Sequence, residues 1–269
     1  MECRLRVMNE TAAIETCELI DQHHFAGTLL FEMVLAAPRC AQMVQPGQFV
    51  HLALPEQSQH ILRRPLSVYQ ANAKTGTITL LYQTVGQGTQ LLSELPAGTQ
   101  LSLLGPLGRG WQSQEAEKCL LIAGGVGAAP LYLLAQELCS NDAQVDLIIG
   151  AATANLLVCE ASFSSLLGSQ HIHITTDDGS RGFKGFTTEL AAKILSERTY
   201  DYLAACGPEP MLKSIANIAL GSKLRLELSL ERRMACGVGA CLSCVVDTTT
   251  GKKRSCLDGP VFDAEEVCW

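Results

Sequence analysis

Four cysteines near the C-terminus have the residue type and spacing needed to bind a metal cluster. Cys236, Cys241, Cys244 and Cys256 are separated by four, two and eleven residues. A C-x4-C-x2-C run with a distant fourth cysteine is the plant-type spacing of [2Fe-2S] proteins, in which one loop surrounds the cluster. We therefore predict that these four thiolates bind a [2Fe-2S] cluster, which transfers one electron at a time.

Two glycines in the same segment suit such a loop, while two other interpretations stay open. Gly237 and Gly239 lack a Cβ, so they allow unusual backbone angles and let peptide N–H groups approach the sulfur atoms. Four thiolates also suit zinc, although only Cys241 and Cys244 form the short pair that structural zinc sites favour. Disulfides are the third interpretation. They are disfavoured because residues 1–10 carry charges and lack the apolar core of a signal peptide, which predicts a cytosolic protein.

Two loops of the middle segment contain glycine and link a predicted strand to a predicted helix. The sequence Gly-Gly-Val-Gly-Ala-Ala-Pro at 124–130 offers free N–H groups to a phosphate, although Pro130 replaces the third glycine of a G-x-G-x-x-G motif. The sequence Cys-Gly-Pro-Glu-Pro-Met at 206–211 forms a tight turn after another strand. Each loop alone could be a plain connection, but ligands of open α/β sheets bind at this edge.

The N-terminal half contains two motifs of a similar kind. Arg-Arg-Pro-Leu-Ser at 63–67 places guanidinium groups beside a hydroxyl, which suits a diphosphate and the polar edge of a ring. Gly-Gln-Gly-Thr at 86–89 predicts a second loop rich in N–H groups. A solvated arginine pair and a plain loop are the alternatives when each motif is taken alone.

The elements that position these motifs differ along the chain. Up to about residue 110, short β-rich runs at 27–34, 48–54, 77–83 and 99–104 alternate with turn residues, which predicts a closed antiparallel barrel. From residue 118, strands at 119–123, 145–149, 171–175 and 202–205 alternate with helices at 131–138, 187–195 and 208–220. This alternation predicts a parallel α/β sheet. Residues 223–230 predict one more strand leading into the cysteine segment, with its leucines on one face.

Composition excludes several classes of protein. The 269 residues are 47% hydrophobic and 17% charged, which excludes disorder and suggests that a partner covers some of the surface. The net charge of −7 argues against nucleic-acid binding. An uncharged run at 119–136 approaches the length of a membrane span, but glycines and a proline interrupt it, so we expect no membrane segment.

The motifs in this order resemble the ferredoxin reductase superfamily. They are R-P-L-S, G-x-G-T, G-P-L-G at 105–108, A-G-G-V-G-A-A-P, C-G-P-E-P-M and the cysteine motif. The segments 230–244 and 256–262 resemble more narrowly the electron-transfer subunits of NAD-linked (class 1B) dihydroorotate dehydrogenases. The resemblance covers nearly the whole chain and is most specific at the C-terminus.

The resemblance implies three domains, each with its own ligand. These are a β-barrel with FAD at 1–110, an α/β domain with NAD at 111–225 and a [2Fe-2S] domain at 226–269. It implies FAD contacts from Arg64, Pro65, Leu66, Ser67, Leu81, Tyr82, Gln83, Gly88 and Thr89. It implies a nicotinamide side shaped by Gly125, Gly127, Cys206, Gly207 and Pro208.

The resemblance also implies an assembly and a direction of electron flow. We expect a heterotetramer containing two copies of this chain and two of an FMN-bearing catalytic subunit, with electrons passing from FMN through the cluster and FAD to NAD+. Such a chain needs a flavin, because flavins exchange single electrons and also donate hydride. We expect no dihydroorotate site and no catalytic side chain here. The alternatives are a stand-alone NAD(P)H reductase for a small protein carrier and a non-enzymatic zinc-bearing interaction module.

Three details qualify the resemblance. The superfamily's R-x-Y-S motif has Leu66 in place of tyrosine, which leaves no obvious aromatic neighbour for the flavin. The segment 177–180, Asp-Asp-Gly-Ser, is similar to a loop of the family's NAD domain, although an exposed turn is the simpler interpretation. Arg232 and Arg233 could raise the cluster potential, or they could be solvated or bind a partner.

Overall fold

The first part of the chain folds into a closed antiparallel barrel, as predicted. The computed structural model describes residues 12–55, 61–113, 115–222 and 224–269. The barrel strands run in the order β1-β2-β5-β4-β3-β6. Their bounds are β1 Ala13–His24, β2 Leu30–Ala36, β3 Phe49–Leu52, β4 Arg64–Asn72, β5 Thr77–Gln83 and β6 Gln100–Leu107, with short helices α1 Pro38–Met43 and α2 Gln87–Ser93.

A seven-stranded sheet with helices on both faces follows the barrel. Its strands are β7 Lys118–Gly124, β8 Gln144–Ala151, β9 Ile172–Thr176, β10 Phe183–Lys184, β11 Tyr202–Cys206, β12 Arg225–Ser229 and β15 Val261–Asp263. Its helices are α3 Ala129–Ser140, α4 Glu160–Leu167, α5 Thr187–Glu197 and α6 Glu209–Ser222. The strand order is β10-β9-β8-β7-β11-β12-β15, and all neighbours are parallel except β12 and β15.

Strand β7 shows why the sheet lies between helices. Leu120 and Ile122 belong to one buried cluster with residues of α5 and α6, while Leu121 and Ala123 belong to another with residues of α3. Strands buried on both faces are near-continuously apolar, as this one is. The carboxyl ends of β7, β8, β9 and β11 therefore meet at one sheet edge, where the chain reverses its direction of strand addition.

The C-terminal segment packs on both other parts. A hairpin of β13 Val245–Thr248 and β14 Gly251–Arg254 lies between the third and fourth cysteines, and β15 then pairs with β12 of the sheet. On the barrel side, Phe49, Leu104 and Leu107 share a buried cluster with Cys244 and Cys256. The cysteine segment is therefore fixed against the barrel as well as the sheet.

The observed elements differ from the predicted ones in several places. The twelve-residue β1 was not predicted. Strand β2 begins at Leu30, because Gly27, with φ of +76°, lies in the preceding turn. Residues 86–89 do not form an open loop, since α2 begins directly after Gly86. Helix α6 begins at Glu209, with Pro210 in its first turn.

Some predictions concern residues outside those that the structure describes. They are the charged N-terminus at 1–10 and Lys223, the first residue of the predicted strand at 223–230. In the described ranges, every helix is too short or too polar to span a bilayer.

Candidate functional site

The four predicted cluster ligands lie together as two pairs. The backbone N–H of Cys241 donates to Sγ of Cys236 at 3.4 Å, and that of Cys256 donates to Sγ of Cys244 at 3.5 Å. Gly239 lies between Cys236 and Cys241, and its N–H donates to Sγ of Cys256 at 3.1 Å. This hydrogen bond connects the two pairs. Two pairs of thiolates match a cluster with two irons, because each iron takes two protein ligands.

The backbone around these thiols adopts the conformation that the glycines permit. Gly237 and Gly239 have φ of +70° and +78°, and both are buried. The N–H of Val238, between them, donates to Sγ of Cys236 at 3.4 Å. Peptide N–H groups that point at sulfur stabilise the negative charge of thiolates and of a cluster. The loop therefore suits an iron–sulfur cluster.

The electrostatics of the four cysteines differ between the buried and the exposed side. Burial, followed by the neighbouring Cys244 thiol, raises the pKa of Cys256 to about 12. A hydrogen bond with the Ser243 hydroxyl lowers the pKa of exposed Cys241 to about 6. The guanidinium of Arg254 donates to the carbonyl of Gly239 at 3.3 Å, which places a cation at the loop.

The competing interpretations of the cysteines fit this geometry less well. The eleven cysteines in the described ranges are all free thiols, so none of the four is in a disulfide. Within the same ranges, no three His, Cys, Asp or Glu side chains converge on one point as ligands of a single metal ion. The arrangement of the four thiols as two pairs is the observation that suits a two-iron cluster.

The predicted flavin motifs come together on one side of the barrel. The guanidinium of Arg64 lies against Gly88 so closely that a Cβ at Gly88 would overlap it. Arg64 also donates to the carbonyl of Leu62 at 2.6 Å. The hydroxyl of Thr89 accepts hydrogen bonds from the N–H groups of Val85 and Gly86, so it shapes its own turn. A guanidinium beside a glycine suits a diphosphate.

Strand alternation separates the three residues predicted on β5. Tyr82 points into the barrel core, where its hydroxyl donates to Oε1 of Gln22 at 3.1 Å. Leu81 instead joins the buried cluster under the α/β sheet, and Gln83 lines a cavity there. Leu66 packs against the barrel core, and Tyr69 packs on Tyr132 of α3 with ring centroids 5.1 Å apart. Both tyrosine rings are therefore buried in contacts within the protein.

A cavity of about 770 Å³ lies at the carboxyl edge of the parallel strands. Its walls come from the ends of β7, β8, β9 and β11 and from two barrel residues. The lining includes Leu30, Gln83, Gly124, Gly125, Gly127, Gly150, Asp177, Thr187, Gly207, Pro208, Met211 and Glu231. The position and glycine-rich lining suit a dinucleotide.

The predicted glycines of the α/β domain have two different roles. Gly125, with φ of +56°, has open space where a Cβ would lie. A Cβ at Gly127 would instead overlap the carbonyl of Cys206, so this glycine lets the two loops touch. Cys206 itself is buried behind the turn, and burial followed by the charge of Glu231 raises its pKa to about 12. Gly207 and Pro208 form the exposed wall of the turn.

The segment 177–180 and Arg232 also have definite places. Asp178 accepts hydrogen bonds from the backbone N–H and hydroxyl of Ser180 at 2.9 and 2.6 Å, which makes an exposed Asx turn. Asp177, beside it, lines the cavity. Arg232 forms an ion pair with Glu209 at 2.9 Å, so its charge is partly neutralised by a side chain of α6.

Several residues that the sequence did not single out contribute to the site. Arg254 touches the cluster loop, Glu231 lines the cavity, and His51 of β3 packs against Gly237. The signal for Arg254 was its position two residues before Cys256. No local pattern marks His51, because its contact comes from the other end of the chain.

Comparison with known proteins supports the three-part organisation. Family models match an oxidoreductase FAD-binding domain at 17–111, an oxidoreductase NAD-binding domain at 121–217 and the iron-sulfur cluster binding domain of dihydroorotate dehydrogenase B at 231–268. These matches confirm the predicted FAD, NAD and iron–sulfur cluster as the cofactor classes of this chain.

Curated relatives cover almost the whole chain. A "Dihydroorotate dehydrogenase B (NAD(+)), electron transfer subunit" from Desulforamulus reducens is 39% identical over 89% of this chain and 92% of its own length. The protein of the same description from Geobacillus thermodenitrificans is 40% identical over 88% of this chain and 92% of its own length.

Solved structures share the fold. A chain from the structure of an NADH-dependent reduced ferredoxin-NADP oxidoreductase has a TM-score of 0.85 and 31% identity, covering 94% of this chain and 89% of that one. A ferredoxin NADP+ reductase from Neisseria gonorrhoeae, with a TM-score of 0.66 and 19% identity, covers 77% of this chain and 91% of that one and shows the fold alone. The cysteine loop, the FAD-binding and NAD-binding domains and these relatives show that the chain belongs to the family of electron transfer subunits of dihydroorotate dehydrogenase B.

Proposed function

We propose that this chain carries electrons from the FMN of a catalytic subunit, through a [2Fe-2S] cluster and FAD, to NAD+. The working unit is a heterotetramer with two copies of each subunit, and it acts in the cytoplasm on electrons released from dihydroorotate. The observation that supports this proposal is that the barrel borders both the cysteine segment and the cavity of the α/β sheet. Phe49 of the barrel packs on two cluster cysteines, and Gln83 of the barrel lines the cavity of the α/β sheet.

The cluster end of this relay faces outwards. Cys236, Cys241, Cys244 and Cys256 are the proposed ligands. Cys241 is exposed, and Leu242 beside it is 62% exposed, whereas Cys244 and Cys256 are buried against the barrel. The exposed side suits electron entry from another subunit, and the buried side suits transfer within the chain.

The flavin end of the relay lies on β4 and α2. The guanidinium of Arg64, beside Gly88, is proposed to bind the diphosphate of FAD. The flavin ring is proposed to lie along Pro65, Leu66 and Ser67, with Ser67 near its polar edge. The rest of the flavin site is proposed to consist of backbone or side-chain groups of Leu81, Tyr82, Gln83 and Thr89. When bound, FAD supplies the exchange between single electrons and hydride.

The nicotinamide is proposed to enter the cavity at the sheet edge. Gly125 and Gly127 add no side chain to the first loop. Gly207 and Pro208 form the opposite wall, and Cys206 supports it from behind. Both loops face Gln83 of the barrel across the cavity. The presence of Gln83 in the cavity wall supports the proposal that a bound dinucleotide lies beside the strand that holds the flavin.

The decisive experiment isolates the chain with its native partners under anaerobic conditions. Iron, sulfide, FAD and FMN are assayed, and oxidation of dihydroorotate by NAD+ is followed. The Cys241→Ser variant is expected to lose iron and NAD+-dependent turnover. Cys268→Ser is the matched control, because Cys268 is another exposed cysteine of the same segment. Full iron content in Cys241→Ser would refute the ligand assignment.

A second function is favoured by the solved structure with 31% identity. The chain would then be a reductase that exchanges electrons between NAD(P)H and a small protein carrier, without an FMN partner. In the same experiment this function predicts a chain that purifies without FMN and reduces a ferredoxin with NAD(P)H. Copurification with an FMN subunit and orotate formation would exclude it.

A further inference from the structure

A histidine of the barrel is buried against the cluster loop. His51 is fully buried, and in β3 it lies on the same face as Phe49, two residues earlier. Phe49 packs in the cluster that contains Cys244 and Cys256, and the two rings lie 5.8 Å apart. A Cβ placed on Gly237 would lie 2.6 Å from Nδ1 of His51. The imidazole therefore rests directly on the residue that follows Cys236.

In the part of the chain that the structure describes, the ring nitrogens of His51 have no protein partner. Neither Nδ1 nor Nε2 has a hydrogen-bond partner among the residues that the structure describes, although both atoms are buried. A buried polar group that stays unpaired loses its hydrogen bonds to water without replacement, so buried polar atoms of this kind point to a ligand. On the neighbouring strand, the residue opposite His51 is Pro65, which has no N–H.

The surroundings favour a neutral imidazole. Burial, followed by the positive charge of Arg63, lowers the pKa of His51 to about 4. Arg63 is held in place because its guanidinium donates to the backbone carbonyls of His51 and Ser102 at 3.3 and 2.6 Å. A neutral imidazole carries one N–H donor and one acceptor. Sulfur atoms of a cluster site are acceptors, and the ring contacts Gly237, the residue directly after the proposed ligand Cys236.

We propose that His51 donates a hydrogen bond from its imidazole to a sulfur atom of the iron–sulfur site, either the Cys236 thiolate or a bridging sulfide. The barrel thereby contributes a tuning residue to a cluster whose ligands all come from the C-terminal segment. A hydrogen bond to cluster sulfur stabilises the more negative reduced state, so it raises the reduction potential. This inference rests on the proposed cluster function and adds a residue to it.

The first test needs no variant. The wild-type complex is prepared with histidine labelled by 15N, its cluster is reduced, and pulsed EPR is recorded. A weak coupling between the cluster and a histidine nitrogen is expected, and its absence in a protein with full iron content would overturn the inference. A wild-type protein without iron would instead refute the proposed function itself, so the two failures are distinguishable.

The second test measures the cluster potential by EPR-monitored redox titration. His51→Phe keeps a flat ring but removes the donor, and His51→Asn keeps a donor. At the wild-type midpoint, His51→Phe is expected to shift the ratio of oxidised to reduced cluster about tenfold towards the oxidised form, which is about 59 mV for one electron. His51→Asn is expected to recover most of that shift, and the histidine coupling should vanish in both variants.

The FAD potential serves as the internal control. It is expected to stay unchanged in both variants, because the inference assigns His51 to the cluster. An unchanged cluster potential in iron-loaded His51→Phe would overturn the inference. So would a shift confined to FAD, since that result would assign the imidazole to the flavin. If His51→Phe fails to fold, the titration of His51→Asn and the pulsed EPR signal still decide the question.

Discussion

Gly237 controls the approach of the cysteine loop to the barrel. Its φ of +70° lies in the left-handed region, and the space that a Cβ would fill is taken by the His51 ring. The loop therefore depends on this residue twice, for its backbone angle and for its contact with β3. Both requirements act at the position directly after the first proposed ligand, Cys236.

We predict that Gly237→Ala loses iron and stability. Gly27→Ala is the matched control, because Gly27 has a similar φ of +76° but nothing within 4 Å of its Cβ position. An alanine in the left-handed region costs about 1–2 kcal/mol, so both variants should lose this much free energy of unfolding. Gly237→Ala should lose more than this and bind less iron, as measured by urea unfolding and iron content. Equal losses in both variants, with full iron, would show that the contact with His51 is unimportant.

Residues close in sequence were the ones that sequence patterns could single out as candidates. The cysteine spacing and the glycines between them define a loop by themselves, so the pattern at 236–256 was sufficient. Arg254 and His51 act through contacts with Gly239 and Gly237. The His51 contact joins two distant parts of the chain, and only tertiary structure creates it.

At the scale of elements, Asp146 joins several strands at the edge of the sheet opposite the cavity. It lies near the start of β8 and accepts hydrogen bonds from Nδ1 of His171 at 2.9 Å, from Arg198 at 3.0 Å and from the Tyr200 hydroxyl at 2.7 Å. These partners lie just before β9, after α5 and before β11. One carboxylate therefore links two connections, the one before β9 and the one between α5 and β11, and its side chain is only 13% exposed.

We predict that Asp146→Asn lowers the free energy of unfolding at pH 7 by about 1–3 kcal/mol. Burial raises the pKa of Asp146, but hydrogen bonds from Tyr200, His171 and Arg198 outweigh it, so the net pKa is lowered. A carboxyl with a lowered folded pKa stabilises the protein above about pH 4 and loses this contribution as pH falls through the folded value. The difference between wild type and variant, measured by urea unfolding, should therefore shrink towards pH 3.

The control for this prediction is Asp247→Asn. Asp247 forms an ion pair with Lys252 in which both side chains are more than 60% exposed, so its loss should change stability by less than about 1 kcal/mol. Binding of NAD+ should be unchanged in Asp146→Asn, because Asp146 lies at the far edge of the sheet. Weakened binding at unchanged stability would contradict a purely structural role.

Elements with regular apolar patterns were predicted, whereas β1 was not. Ile14 and Ile20 of β1 are 69% and 46% exposed, while Cys17 and Leu19 are buried, so its apolar residues fall on both faces. That mixture hides the alternation that marks a strand. The strand at 223–230 was recognised because Leu226, Leu228 and Leu230 do share a buried face.

At the scale of the whole molecule, the exposed tip of the cysteine loop is the proposed contact with the catalytic subunit. Leu242 has φ of +59°, which is unusual for leucine, and it lies between Cys241 and Cys244. We predict that Leu242→Asn keeps iron, because asparagine tolerates this backbone angle. Association with the catalytic subunit should weaken about tenfold, or about 1.4 kcal/mol, as measured by titration of the separated subunits.

Leu220→Gln is the control for that prediction. Leu220 is 48% exposed on α6, away from the loop, so its replacement should leave association unchanged. Equal effects of both changes would point to a general loss of stability. Unchanged association in Leu242→Asn would exclude the loop tip as part of the subunit contact.

The relative placement of the three sites was beyond sequence reasoning. Low charge, at 17% of residues, predicted a covered surface but did not locate it. The motifs predicted three ligands in chain order, yet Gln83 and Phe49 show that the barrel borders both other sites. Such contacts depend on how the parts pack, and residue spacing does not encode that directly.

The antiparallel pairing of β12 with β15 has a consequence for motion. The polypeptide leaves the sheet through β12, builds the cysteine loop and returns to the same sheet through β15. The N–H of Arg109 also donates to the carbonyl of Gly259, which fastens the returning strand to the end of the barrel. Because both ends of the loop are anchored, we expect it to stay in one position relative to the sheet and the barrel. Electron tunnelling between the proposed centres would then take place across a fixed gap, without the domain shuttling that tethered carrier modules require.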